Sequence, residues 1–203
     1  EFTKAEEVAE ACDSLYLSLI LTSEADAYSR NYAHVEELNS LRRAFVIDQN
    51  VNSEYYINVT KLRLVQALYN LNYNDEADSL LNELLRTDIS NGLLQTSVNV
   101  THAFVSSAIK EIPDFKLAST IYKDVYTSEF VTCMTIKDYW VWAYSLNALG
   151  RKAEAQELID QLIHESSGTA SYWQYMIAKS NGNSDMALSH LEDYIKYNDK
   201  EVS

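Results

Sequence analysis

One pattern constrains the fold of this chain more than any other: a short polar turn, then an alanine, then larger residues four and seven positions on. The turn Asn70-Leu71-Asn72-Tyr73-Asn74 leads to Ala77, Leu81 and Leu84, and the turn around Ile112-Pro113-Asp114-Phe115 leads to Ala118, Tyr122 and Val125. Leu149-Gly150-Arg151-Lys152 leads to Ala155, Ile159 and Leu162, and Asn181-Gly182-Asn183-Ser184 leads to Ala187, Leu191 and Tyr194. The alanines lie 41, 37 and 32 residues apart, which brackets the roughly 34-residue period of a helical hairpin repeat. Nine and thirteen positions upstream stand Leu68 and Leu64, Ile109 and Val105, Leu146 and Trp142, and in the last copy Ala178 and Gln174. A small residue opening the second helix lets its partner approach, while the larger residues fill the groove against the next hairpin.

Composition agrees. With 4 Gly and 1 Pro in 203 residues, the chain lacks the turn residues that many short strands would need, so it reads as all-α. Helical spacing continues upstream of the repeats, through Val8, Cys12, Leu15, Tyr16 and Leu19, and again through Val35, Leu38, Leu41, Phe45 and Val46. Ser23 with Asp26 fits a capping box between these helices, and the stretch Asp48 to Ser53 reads as a connection. The expected organisation is one domain over 1–203: a degenerate helical pair in 1–50, then about four repeats in 51–203.

The repeat resembles the tetratricopeptide repeat, best in Tyr139 to Ile163, where Leu149-Gly150 sits at the turn and Ala155 opens the second helix. The resemblance covers about Asn58 to Asn198 and implies a right-handed α-solenoid of helical hairpins, without enzymatic activity, serving as a protein or peptide interaction scaffold. There are departures. The small residue expected twelve positions before each alanine is Val65, Ser106, Ala143 and Tyr175, and no proline closes a repeat. Members that clamp acidic chaperone tails use a lysine and an asparagine four apart on the first helix; Leu62 and Gln66 hold those places, so no such clamp is expected. The closing segment Ala187-Leu188, Leu191, Tyr194 and Asp199 is also similar to the last repeat of membrane-tethered tetratricopeptide proteins and sensor-regulators of Bacteroidetes. That second resemblance implies a sensory domain held outside the cytoplasm by a tether beyond this segment. The opening Glu1-Phe2-Thr3-Lys4 reads as part of a longer or processed protein.

Charge narrows the partners. Thirty acids against 16 Lys and Arg give a net charge of −14, which repels nucleic acid and anionic bilayers alike. No apolar run approaches the 18 residues of a membrane span. No catalytic, metal or cofactor constellation appears. His34, His102, His164 and His190 are isolated from one another, and the four glycines form no phosphate loop or nucleophile elbow. Cys12 and Cys133 lie in apolar contexts typical of inert buried thiols. The sequons Asn58-Val59-Thr60 and Asn99-Val100-Thr101 fall where helix capping would account for them.

What remains is the face that first helices would turn to a concave groove: Arg63, Gln66 and Tyr69, then Lys137, Trp140, Tyr144 and Asn147, then Tyr172, Met176 and Lys179. Spacings of three and four put each set on one side of its helix. Trp and Tyr with a few cations and amides is the composition of a protein-binding hot spot. The same stripe would serve equally to pack one hairpin on the next, and the tyrosines could instead line a pocket for a sugar or other small ligand.

Overall fold

The computed structural model describes residues 14–162 and 168–201, with side chains as far as Tyr197. Among them there are ten α-helices and no strand. The helices are α1 Ser14–Arg30, α2 His34–Val51, α3 Glu54–Asn70, α4 Asn74–Arg86, α5 Gly92–Phe104, α6 Phe115–Tyr126, α7 Ile136–Ala148, α8 Lys152–Leu162, α9 Gly168–Ser180 and α10 Ser184–Glu201. The chain forms two compact units, Glu1–Val98 and Asn99–Ser203.

A single turn geometry makes four of the hairpins. Three residues follow α1, α3, α7 and α9, and the middle one has positive φ: Tyr32 at 57°, Asn72 at 60°, Gly150 at 77° and Gly182 at 71°. The next residue returns its N–H to a carbonyl five positions back, Ala33 to Tyr28, Tyr73 to Leu68, Arg151 to Leu146 and Asn183 to Ala178, at 2.9 to 3.0 Å. This closes the helix end with a left-handed residue, the conformation glycine adopts without strain. A Cβ on Gly150 or Gly182 would meet no atom within 4 Å, so φ alone calls for glycine there. Four residues past each closing residue stand Ala77, Ala155 and Ala187, all buried as the repeat requires, and in the first hairpin Glu37, also buried. The N-terminal pair therefore shares the turn of the later hairpins but not the alanine.

The α5–α6 hairpin differs. A π-helical turn, Val105–Ile109, prolongs α5, and Lys110 to Asp114 replace the three-residue link. The N–H of Asp114 reaches the Ser106 carbonyl at 2.8 Å, and its carboxylate caps α6 by accepting from the Leu117 N–H at 2.9 Å. These extra residues account for the 41-residue interval. They also move the register of that hairpin: Ser106, not Ile109, holds the place of Leu68 and Leu146. Separately, in the last hairpin the buried residue is Trp173 rather than Gln174.

Other local expectations change for physical reasons. No cap interrupts Ser23 to Asp26; the Ser23 hydroxyl bonds the Leu19 carbonyl at 2.8 Å inside α1. Helix α2 runs on to Val51, so the connection shrinks to Asn52 and Ser53. Asp48 lies inside that helix, fully buried, where the hydroxyls of Ser18 and Thr60 donate to its two oxygens at 2.5 and 2.6 Å and join α1, α2 and α3. Asn58 and Asn99 sit within α3 and α5 rather than at their starts. Of the expected stripes, Leu38 and Leu41 are buried as expected, while Tyr16, Leu19, Val35 and Val46 are exposed and Leu21 carries the core of α1. Val8 and Cys12 lie outside the described residues.

Candidate partner-binding face

Superimposing the hairpins on the positive-φ residue gives three positions on each first helix, ten, six and three residues before it. They are Thr22, Asp26 and Ser29 on α1; Leu62, Gln66 and Tyr69 on α3; Trp140, Tyr144 and Asn147 on α7; and Tyr172, Met176 and Lys179 on α9. The spacing puts each trio on one side of its helix, and most of the predicted groove residues belong to these trios.

Within each unit this side meets the following hairpin. In the first unit Arg63 reaches back from α3 to Asp26, with two bonds at 2.9 and 3.2 Å, and to the Thr22 carbonyl at 3.1 Å. In the second unit Trp173 packs on Tyr144 with ring centroids 5.6 Å apart. Arg63 and Trp173 hold the same position, nine residues before the turn, and so do Asp26 and Tyr144. One junction is thus an ion pair and the other an aromatic pair. Asn147 completes the second, its amide donating to the Ser180 hydroxyl at 2.8 Å and its carbonyl oxygen accepting from the Asn181 amide at 3.1 Å.

The predicted groove residues therefore separate. Trp140 is 0% exposed, its indole N–H meeting no acceptor among the described residues, and Asn147 and Tyr69 are buried too. These three form packing rather than an open groove: Asn147 is bonded to the next hairpin, Trp140 lies in the core of its unit, and Tyr69 is held within its own hairpin. The Tyr69 hydroxyl donates to Asp78 across the α3–α4 hairpin; burial and the adjacent carboxylate push its pKa far above the ordinary phenol value. Arg63 is engaged by Asp26, and Gln66 is exposed beside it. Tyr144 is half-buried, edge-on to Phe115 at 5.4 Å, and burial raises its pKa. Lys137 is exposed as a residue, yet its ammonium lies 3.9 Å from the centre of the Phe104 ring. Desolvation there lowers its pKa against the opposite pull of Asp138.

The last trio is more open than its counterpart on α7. Tyr172 is 36% exposed where Trp140 is 0%, Lys179 is exposed and Met176 half-buried. Tyr172 touches Trp173, Tyr194 and Tyr175 at 5.2, 5.5 and 6.4 Å between centroids. The Lys179 ammonium stands 5.5 Å from the Tyr175 ring centre and pairs with no carboxylate among the described residues. Arg42, Lys61, Arg63, Arg151 and Lys196 each pair with an acid. Tyr175 and Tyr194 belong to this face although the repeat pattern assigns them to packing positions.

Elsewhere the described residues hold little chemistry. A polar cleft of about 150 Å³ lies among Asp26, Ser29, Glu37, Arg63 and Gln66, with the Glu37 carboxylate accepting from the His34 ring at 2.9 Å. An open apolar hollow of about 460 Å³ lies beside Leu17, Val46 and Ile47. No three His, Cys, Asp or Glu among the described residues converge as a metal site would need, and none of the described helices is long and apolar enough to cross a membrane. His164 lies outside the described residues. No known family model, curated protein or solved structure matches this chain.

Proposed function

We propose that this chain is a non-enzymatic protein-interaction module, a right-handed solenoid of tetratricopeptide-like hairpins that docks a protein partner on the uncovered side of α9. The observation that carries the proposal is the contrast between equivalent positions. Trp140 is fully buried and Asn147 is bonded to the hairpin that follows it, whereas at the same positions on α9 Tyr172 and Lys179 are exposed and Met176 is half-buried, with no further hairpin after α10 among the described residues. Two tyrosines, a methionine and a lysine at helical spacing offer large rigid apolar area with one charge, which is the chemistry of an interface hot spot. The recurrent turn and the recurrent Asp26–Arg63 and Tyr144–Trp173 junctions support the solenoid.

A photo-crosslinking amino acid placed at Tyr172 tests the docking face in cells that make the protein, with Tyr55, 49% exposed on α3, as the control site. The expected result is a discrete protein adduct from position 172 and none from position 55. Equal adducts at both sites, or none at 172, would remove the support for α9 as a docking face.

A further inference from the structure

We propose that the partner on α9 is a second copy of this chain, packed antiparallel about a twofold axis between Tyr175 and Met176; this rests on α9 being the docking face. The sequence of that side is self-complementary under such an axis. Tyr172 of one copy meets Lys179 of the other and Tyr175 meets Met176, and each contact is repeated by symmetry, as an isologous interface demands. Tyr172 and Lys179 are seven residues apart, about 10 Å along the helix, so the pairs lie at the two ends and the middle of one helix-helix crossing.

Three observations select a second copy over other occupants. Helix α9 contains no carboxylate and carries Lys179 in a chain of net charge −14, so two equally acidic molecules approaching along it set no acid of this helix against another. Lys179 already sits over a tyrosine ring within its own helix, and a second ring from the other copy extends that cation–π contact. The interface would also continue an existing one: the junction between α7 and α9 inside the unit is itself aromatic, Tyr144 on Trp173, and the sulfur–aromatic pair of Met176 with Tyr175 belongs to the same kind of surface. A twofold pair closes on itself, whereas head-to-tail stacking of hairpins would run on as a filament.

Sedimentation velocity of the intact chain over micromolar to submillimolar concentration tests this, with circular dichroism confirming that each variant keeps its helix content. Wild type should show a concentration-dependent monomer–dimer equilibrium. Tyr172→Lys sets lysine against Lys179 and should weaken the dimer at least tenfold, and Lys179→Glu alone should weaken it as well. Mixing the two variants sets the introduced lysine of one against the introduced glutamate of the other at one end of the crossing. At the other end the unchanged Lys179 still meets the unchanged Tyr172, so a heterodimer should form where neither variant dimerises. A wild type that stays monomeric throughout overturns the second copy, as does a dimer indifferent to both substitutions or a mixture that fails to pair. If wild type is monomeric while position 172 still crosslinks to a different protein, the docking face stands and only the twofold pairing falls.

Discussion

Asp48 is the residue whose replacement should cost the first unit most for its size. Its carboxylate is 0% exposed and accepts from Ser18 at 2.5 Å and Thr60 at 2.6 Å, both hydroxyls being buried as well. Hydrogen bonds to a charged group contribute about 1.5–3 kcal/mol each. Ser18 and Thr60 can swing back onto carbonyls of their own helices, so we take the lower figure for each bond in Asp48→Ala and add about 1 kcal/mol for the void. The expected loss is about 4 kcal/mol. Asp48→Asn keeps the volume and one good acceptor and should lose about 1–2 kcal/mol. The decisive variant is the triple Ser18→Ala, Thr60→Val, Asp48→Leu. Removing all three polar partners together leaves no orphan, and buried polar clusters replaced wholesale by apolar groups are often neutral. It should recover most of what Asp48→Ala loses. The assay has to look at the first unit: Trp140, Trp142 and Trp173 all lie in the second, so indole fluorescence is blind to it, and amide exchange across α1 to α3 is the suitable readout. Asp48→Ala within about 1 kcal/mol of wild type, or a triple variant no better than the single, would refute the polar key.

Further outcomes follow from single positions. Tyr32 is 72% exposed and holds φ 57° where two later hairpins have glycine and one has asparagine; Tyr32→Gly should raise stability by about 1 kcal/mol, seen as a higher urea midpoint for the first unit. Ala155→Leu overpacks the α7–α8 contact and should lower the fluorescence-detected melting temperature of the second unit, at about 1–3 kcal/mol. Asn147→Ala removes both bonds to the next turn, and faster amide exchange in α9 than in α8 should report a loss of about 1–2 kcal/mol. Asp138 is buried, and burial raises its pKa above the ordinary 3.8 although Thr135, Lys137 and Tyr122 oppose the rise. A raised carboxyl pKa means the folded state holds the proton more tightly than the unfolded one. Its stabilising contribution is therefore complete below the unfolded value and lost as pH rises through the folded one. The unfolding free energy of wild type minus that of Asp138→Asn should accordingly fall as pH is raised from about 4 towards neutrality, and a flat difference would contradict the burial account.

How much of this was legible in the sequence depends on which force set each feature. The alanines were legible because a close helix approach admits only a small side chain, and Ala77, Ala118, Ala155 and Ala187 are all buried. Turn positions were legible where glycine marked them, at Gly150 and Gly182, but not at Tyr32, a residue that gives no hint of positive φ. The α5–α6 register was hidden because a π-helical turn adds residues without breaking the helical pattern. The direction of the groove side was hidden for a different reason. Periodicity states which residues share a side, while only the neighbour decides whether that side is covered; Trp140 and Tyr172 are alike in the sequence and opposite in exposure.

The two junctions carry that point one step further. Asp26 with Arg63 and Tyr144 with Trp173 occupy the same pair of positions, so the hairpin stack repeats a junction while the residues spanning it change from ions to rings. What recurs at that place is the position and not the chemistry: an ion pair half open to water contributes little and is screened by salt, whereas an aromatic pair contributes mainly through area. A fold specified this way leaves its mark in small residues and turns and very little in the residues between hairpins. The two junctions should also part company in salt: at about 1 M, where charges are screened beyond roughly 3 Å, amide exchange should quicken at the Arg63 junction of α1 and α3 and stay unchanged at the Trp173 junction of α7 and α9. Equal responses at both would mean that the Asp26–Arg63 pair is held by packing and not by charge.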